Sequence, residues 1–426
     1  MIVKPYTGVF VGQIQVPGDK SVSHRSIMLG ALANGQTRIK NFLMGEDCLS
    51  TIDCFRKLGV TIEVTSEEVI VYGVGLAGLK KPHTVLDAGN SGTTIRIMSG
   101  VLACQNFQST IDGDDSLKKR PMSRVADPLN KMGAQIVCTN EKYPPIHIYP
   151  SSKIKGLKYI QPTASAQVKS CLLMAGMYSE EGVEVIQPSI SRDHTERMMR
   201  HFGIPVYQED KMVRVNKTKA FEGKEVYVPG DISTAAFYMV MAAIVPGSNI
   251  CIKNVGVNPT RTGIIDVLKQ MGADIVLENE SVINEEPIAD IRVRGSRLKG
   301  IEIAGDVIPR IIDEIPIISL AAVFSEGTTS ISDAEELRVK ETDRIEAVCC
   351  ELRKMQANII DKPDGMIIHG TSKLTGAKVK SYGDHRMAMM LSLAGMLASN
   401  ETAIDDVACA NVSNPIFFDL IKELME

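Results

Sequence analysis

The sequence predicts an α/β protein of two domains, built from six copies of one structural repeat with three copies per domain. Three observations carry this expectation. The chain has 426 residues, more than a single hydrophobic core accommodates. The tetrapeptide Val-Pro-Gly-Asp occurs at 16–19 and again at 228–231, a shift of 212 residues, close to half the chain. Each copy leads through a polar turn into an apolar run, to Ala33 in the first case and Val245 in the second. Finally, one pattern recurs six times: a Gly/Ser/Asp-rich turn, an apolar small-residue helix, a Gly or Asn stop, and a short strand.

The apolar helices are expected to start near Ser23, Ser91, Ser165, Ser233, Pro309 and Asp384, at spacings of 68 to 76 residues. Strands follow at Gln36–Phe42, Gln108–Asp112, Val183–Ile186, Asn249–Val255, Thr328–Ile331 and Glu401–Ile404. A helix that is apolar nearly all round belongs inside its domain, with strands and amphipathic helices around it. A second, amphipathic helix closes each repeat. Four of them end in basic residues and a C′ glycine: Gly59, Gly133, Gly203 and Gly272. The fifth has Gln356 at that place, and the sixth runs from Phe417 to Glu426. Helix-glycine-strand endings are common, but six matched pairs at one spacing are not. The crossovers are placed at the two Val-Pro-Gly-Asp turns. One domain then spans 20–230, and 1–19 with 231–426 form the other, hinged at these turns.

Composition excludes several function classes. It is that of an ordinary globular protein, 44% hydrophobic and 23% charged with no Trp. No apolar run reaches membrane-spanning length, and the N-terminus has neither signal-peptide nor transit-peptide layout. The nine cysteines include no C-x-x-C pair, and Cys104, Cys171 and Cys251 sit in apolar runs, so a reducing cytoplasm fits. A net charge of −4 argues against nucleic acid or an anionic membrane as partner. Gly73-Val74-Gly75-Leu76-Ala77-Gly78 matches G-x-G-x-x-G but runs into Leu79-Lys80-Lys81-Pro82, so it reads as a loop. No His has metal-ligand spacing, and neither cofactor nor metal is indicated.

The chemistry is expected where the buried helices begin. Lys20, Ser21 and Arg25 surround the first start, where free N–H groups and the helix dipole favour an anion. At the second, Asp87-Ala88-Gly89-Asn90-Ser91-Gly92-Thr93-Thr94-Ile95-Arg96, two glycines let a ligand approach the backbone. Arg120 follows in the basic loop Lys118-Lys119-Arg120-Pro121, and Ser165 and Gln167 open the third helix. Asp313 and Glu314 fall in the otherwise apolar helix Ile311 to Phe324, where charge is costly unless paired or functional; Glu314 is expected to cap or pair. Lys340 and Arg344 are spaced to share a helical face beside Glu341, and Arg386 lies in Gly383-Asp384-His385-Arg386. For Lys20 the alternative is a solvated loop lysine, and alone the Lys340–Arg344 stretch is an ordinary solvated helical face. Together they put cations at the same point of repeats in both domains of a net-acidic protein, which suggests a cleft for phosphate- and carboxylate-bearing small molecules.

Taken in order from Gly18-Asp19-Lys20-Ser21 to Pro415, these motifs resemble the 5-enolpyruvylshikimate-3-phosphate (EPSP) synthase family over essentially the whole chain. The resemblance implies a two-domain inside-out α/β barrel of six βαβαββ repeats, the enolpyruvyl transferase fold. It implies cofactor-free transfer of the enolpyruvyl group of phosphoenolpyruvate to the 5-hydroxyl of shikimate 3-phosphate by a cytoplasmic monomer. It places shikimate 3-phosphate contacts on Lys20, Ser21, Arg25, Ser165, Gln167, Asp313 and Lys340. Phosphoenolpyruvate contacts fall on Lys20, Gly92, Arg120, Gln167, Arg344 and Arg386. It makes Asp313 the base toward the hydroxyl, with Glu341 and Lys20 moving protons at the methylene.

Departures from the family pattern are local. Val412 stands where some members carry Lys, three residues before Pro415. Ser165-Ala166-Gln167 and Arg192-Asp193-His194-Thr195-Glu196-Arg197-Met198 resemble the family's second class, often associated with glyphosate tolerance, while Gly92 keeps the small residue at the inhibitor contact. The rival is the related transferase acting on UDP-N-acetylglucosamine. It typically has Asn after the lysine and Cys before the Arg-Pro motif, whereas this chain has Ser21 and no Cys in 112–120. A non-catalytic repeat protein is the alternative of another class.

Overall fold

In a computed structural model of the chain, every residue is described except Ser152, Ser372 and Glu426, so the expected end of the last helix at Glu426 lies outside the described residues. The chain divides into two compact units. Unit I comprises Gly18–Pro229 with Ile283–Glu286; unit II comprises Met1–Pro17, Gly230–Val282 and Pro287–Glu426. Within unit I the Asp19 N–H donates to the Pro229 carbonyl at 2.7 Å, and within unit II the Asp231 N–H donates to that of Pro17 at 2.9 Å. Segment 283–286 groups with unit I, although the sequence reading leaves 231–426 undivided.

Among the described residues the strands form six sheets, one per repeat. The second repeat shows the plan. Strand Leu86–Asp87 leads to helix Gly92–Leu102, and strand Ser109–Asp112 returns parallel to the first. Helix Ser123–Lys131 follows, then the antiparallel hairpin Gln135–Thr139 and Tyr143–Tyr149. Other repeats are completed by distant chain. Glu225–Tyr227 supplies the parallel edge beside Asn34–Lys40, and Val11–Ile14 the one beside Asn249–Gly256. The sixth sheet has three strands, with Ile2–Val3 antiparallel to Thr402–Ile404. Borrowed strands satisfy edge N–H and C=O groups that would otherwise be open.

The apolar helices form the interior of each unit: Lys20–Leu32, Gly92–Leu102 and Ala166–Gly176 in unit I, and Ile232–Ile244, Ile315–Val323 and His385–Met396 in unit II. Every residue of Ile232–Ile244 is buried. Small residues permit the packing. A Cβ on Gly100 would lie 2.0 Å from the Cys171 carbonyl oxygen, so helix Gly92–Leu102 approaches helix Ala166–Gly176 at backbone distance. The expected C′ glycines Gly59, Gly133, Gly203 and Gly272 have φ between 80° and 97°, and Gln356 adopts the same left-handed turn at 70°.

Three local expectations are corrected. The first helix starts at Lys20 rather than near Ser23, because the Asp19 carboxylate accepts from the Val22 N–H at 2.9 Å and caps it. The fifth is not continuous from Ile311 to Phe324. A short helix, Ile308–Ile311, is followed by a turn carrying Asp313 and Glu314, and only then by Ile315–Val323. Pro316 has no N–H to give to the preceding turn and sets a new helix start. Lys340 does not share a helical face with Arg344. It is extended, after the 3-10 turn Glu335–Val339, and the helix begins only at Arg344, where Asp343 accepts from the Glu346 N–H at 3.0 Å.

Candidate active site

In unit I the first helix start brings Lys20, Ser21 and Arg25 together. Lys20 is the first residue of the helix, and its Nζ lies 3.1 Å from Asp47 Oδ2 with about a fifth of the side chain exposed. The lone-residue picture of a freely solvated loop lysine therefore does not apply. Arg25 is buried and held from three sides. Its Nε donates to Thr195 Oγ1 at 2.5 Å, Nη2 to Ser170 Oγ at 2.8 Å, and Nη1 to the Ser21 carbonyl at 2.9 Å. Burial depresses its pKa to about 10 against the opposing fields of Glu196 and Asp19. A cation held under that desolvation cost gains from an arriving anion. Beside it His24, fully buried and hydrogen-bonded through Nδ1 to Thr51 at 2.7 Å, is driven well below the ordinary histidine pKa by burial and by Lys20 and Arg25.

The other expected residues of unit I converge on the second and third helix starts. Ser91 caps Gly92–Leu102 by accepting from the Thr94 N–H at 3.1 Å, and Ser165 caps Ala166–Gly176 from the Val168 N–H at 3.4 Å. Gln167 bridges the two, accepting from Arg96 Nη1 at 2.5 Å and donating to Thr93 Oγ1 at 3.1 Å. A Cβ on Gly92 would sit 3.1 Å from Arg96 Nη1 and 3.6 Å from Arg120 Nη1. The missing side chain thus leaves the helix start open beside two guanidiniums. Arg120 is aimed by Asn90, whose Oδ1 accepts from Nη2 at 2.7 Å, and by Ser116 Oγ at 3.0 Å. Two arginines at one helix N-terminus suit a phosphate or carboxylate.

Unit II gathers Asp313, Glu341, Arg344 and Arg386. Arg344 is 1% exposed and meets three carboxylates: Asp384 Oδ2 from Nε at 2.8 Å, Glu341 Oε2 at 2.7 Å and Asp313 Oδ1 at 3.3 Å. Burial works against its charge, but Asp384, Glu341 and Asp313 outweigh it and hold its pKa above the ordinary arginine value. Arg386 Nη1 donates to the Asp313 carbonyl at 3.0 Å, and Nη2 lies 3.9 Å from Asp313 Oδ2. The pKa of Lys340 is lowered by burial, with Asp313 opposing. Asp313 keeps 16% of its side chain exposed, so a carboxylate fixed by two arginines is still reachable from outside. Glu314, expected to cap or pair, is buried and accepts from Ser233 Oγ. Val412 ends the turn Ala408–Val412 and is half-buried.

Sequence reasoning did not single out Arg96, Asp384, or the Ser170 and Thr195 that hold Arg25. Arg96 and Asp384 lie inside motifs quoted above, and their signal was a further charge next to a helix start. Ser170 carries no such mark, and Thr195 lies inside the quoted motif that begins at Arg192 but has no charge to single it out.

The chain as a whole resembles known proteins. A family profile described as EPSP synthase (3-phosphoshikimate 1-carboxyvinyltransferase) matches residues 7–421. A protein of Thermoanaerobacter sp. (strain X514) named 3-phosphoshikimate 1-carboxyvinyltransferase is 53% identical over 407 residues, 96% of each chain. One of the same name from Bacillus cereus (strain B4264) is 52% identical over 426 residues, 99% of this chain and 98% of that protein. A solved EPSP synthase structure from Acinetobacter baumannii matches with a TM-score of 0.89 at 45% identity, covering 99% of this chain and 97% of that one. The fold is accordingly the two-domain inside-out α/β fold that the resemblance implied, and the chain belongs to the EPSP synthase (3-phosphoshikimate 1-carboxyvinyltransferase) family.

Proposed function

We propose that this protein transfers the enolpyruvyl group of phosphoenolpyruvate to the 5-hydroxyl of shikimate 3-phosphate, with Asp313 as the base toward that hydroxyl. The observation that carries the assignment of the base is the fixing of the Asp313 carboxylate, 3.3 Å from Arg344 and reachable from solvent on the turn between helices Ile308–Ile311 and Ile315–Val323. The hydroxyl oxygen attacks C2 once C3 has been protonated, and the hydroxyl proton passes to Asp313. Glu341 and Lys20 give and later remove the proton at C3, and phosphate leaves from the tetrahedral ketal. Lys20, Ser21, Arg25, Ser165, Gln167 and Lys340, with Asp313, hold shikimate 3-phosphate. Lys20, Gly92, Arg120, Gln167, Arg344 and Arg386 hold phosphoenolpyruvate. The buried, preoriented guanidiniums of Arg25, Arg120, Arg344 and Arg386 support this set, since they offset substrate charge without reorganising. The enzyme is read as a cytoplasmic monomer working on small molecules without nucleic acid or membrane. No described helix is long and apolar enough to cross a membrane.

The test is phosphate release from phosphoenolpyruvate with either shikimate 3-phosphate or UDP-N-acetylglucosamine as acceptor. Release with the shikimate ester alone is expected, and release with the sugar nucleotide alone overturns the reading. Asp313→Ala is expected to leave substrate binding largely intact and to lower turnover by about 100-fold or more. Near-normal turnover removes Asp313 from its role.

A further inference from the structure

The two copies of Val-Pro-Gly-Asp open equivalent helices, and Ser21 and Ser233 stand at the same place, two residues after the aspartate. What surrounds them differs. In unit I the turn carries Lys20 and Arg25, and the proposed function assigns it to a substrate anion. In unit II a carboxylate of the chain itself occupies the corresponding turn. Ser233 Oγ donates to Glu314 Oε1 and accepts from Arg261 Nη2 at 2.5 Å, while Arg261 Nη2 lies 3.3 Å from the capping carboxylate Asp231 Oδ1. Glu314 is 0% exposed, with Ser233 and Arg261 at 2%. The single hydroxyl proton of Ser233 is committed to Glu314, so donor and acceptor roles along Asp231, Arg261, Ser233 and Glu314 are mutually consistent.

Glu314 adjoins Asp313 in the non-helical turn between Ile308–Ile311 and Ile315–Val323. Arg386 touches both, with Nη1 at 3.0 Å from the Asp313 carbonyl and 4.0 Å from Glu314 Oε1. We propose that the second Val-Pro-Gly-Asp turn has become an internal clasp: Ser233, Arg261 and Glu314 are positioning residues that fix the helix break and thereby aim the Asp313 carboxylate. The clasp acts on turnover through Asp313 and touches no substrate. It rests on the assignment of Asp313 as the base.

A cycle of variants separates the two claims. Glu314→Ala and Glu314→Gln are made in the parent and in Asp313→Ala, and kcat, both KM values and thermal midpoints are measured. In the parent, Glu314→Ala is expected to lower kcat by about tenfold or more, with both KM values within about threefold. Glu314→Gln, which still offers Ser233 an acceptor, is expected to stay within about threefold of the parent kcat. In the Asp313→Ala background, Glu314→Ala is expected to cost less than about twofold, because the group it aims is gone. An equal loss in both backgrounds overturns the clasp even where the role of Asp313 stands, as does a Glu314→Gln enzyme as slow as Glu314→Ala. Normal turnover by Asp313→Ala alone removes the functional reading instead. If Glu314→Ala does not fold, Ser233→Ala, which deletes only the donor, is judged by the same two-background comparison.

Discussion

Replacing Arg344 by Met tests how much of unit II rests on one buried cation. The guanidinium is 1% exposed and spans Asp384, itself fully buried, with Glu341 and Asp313. Without it, Asp384 Oδ2 loses its 2.8 Å partner, and three carboxylates face one another across an apolar thioether. Breaking a buried pair from one side costs about 3–5 kcal/mol, because the remaining charge is left uncompensated. For a domain of roughly 200 residues each kcal/mol is worth about 2–4 °C, so the midpoint of unit II should fall by about 6–20 °C. The second variant, Arg344→Met with Asp384→Asn, removes the deepest stranded charge as well and should recover more than half of that loss. It should nevertheless stay poor in phosphoenolpyruvate use, since the proposed ligand of that substrate is absent. Calorimetry of the parent, the single and the double variant, with KM for each substrate, decides the matter. A single variant within about 2 °C of the parent, or a double variant no more stable than the single, refutes the charge argument.

Three further outcomes follow from particular groups. Burial lowers the Arg25 pKa to about 10, and on the proposed function only its protonated form holds the substrate anion, so the Kd of shikimate 3-phosphate should weaken as pH rises through 10. Arg25→Gln should bind weakly throughout with a shallower dependence; an unchanged slope assigns the effect to other cations. His24 is held neutral by burial, so its folded pKa lies below the unfolded one. Stability from this group is therefore present above the unfolded pKa of about 6.5 and is lost as pH falls, by up to about 1.4 kcal/mol per pH unit. His24→Asn should flatten that part of the profile in denaturant melts, and an equally steep profile excludes His24 as its source. Gln356 holds a left-handed turn at φ 70° where four other repeats have glycine, so Gln356→Gly should stabilise unit II by about 0.5–1 kcal/mol. A lower midpoint would show that the Gln side chain contributes more than the strain removes.

The repeat architecture was legible because its signals are local. Polar turns, C′ glycines and apolar helices recur at one spacing and survive reading one residue at a time. The strands Val183–Ile186 and Thr328–Ile331 stand where expected, and the edges of the other four move by only one or two residues. Misreadings arose where one local signal overrode another. An apolar run from Ile311 to Phe324 looks continuous until Pro316 withdraws an N–H, and i,i+4 spacing joins Lys340 to Arg344 until Asp343 caps a helix between them. Breaks of this kind put Asp313 and Lys340 on turns, free of helical register.

Least legible were the groups that hold the charges in place. Arg25 can be suspected from its turn, but Ser170 and Thr195, distant in sequence and chemically ordinary, fix its direction. The same holds for Ser233. Its alignment with Ser21 predicts a matching role, yet tertiary packing delivers Glu314 to the second turn and not to the first. Duplication therefore reproduces the backbone of the turn but not the side chains brought against it. A helix start that presents N–H groups, a hydroxyl and a nearby guanidinium accepts any carboxylate within reach, whether from substrate or from the chain. Which one it takes depends on residues about 80 positions away, Glu314 relative to Ser233, a separation over which a single sequence carries no periodic signal. On the proposed function, repeats mark where chemistry can occur in this fold, and side chains brought in from afar set which copies of the turn take substrate.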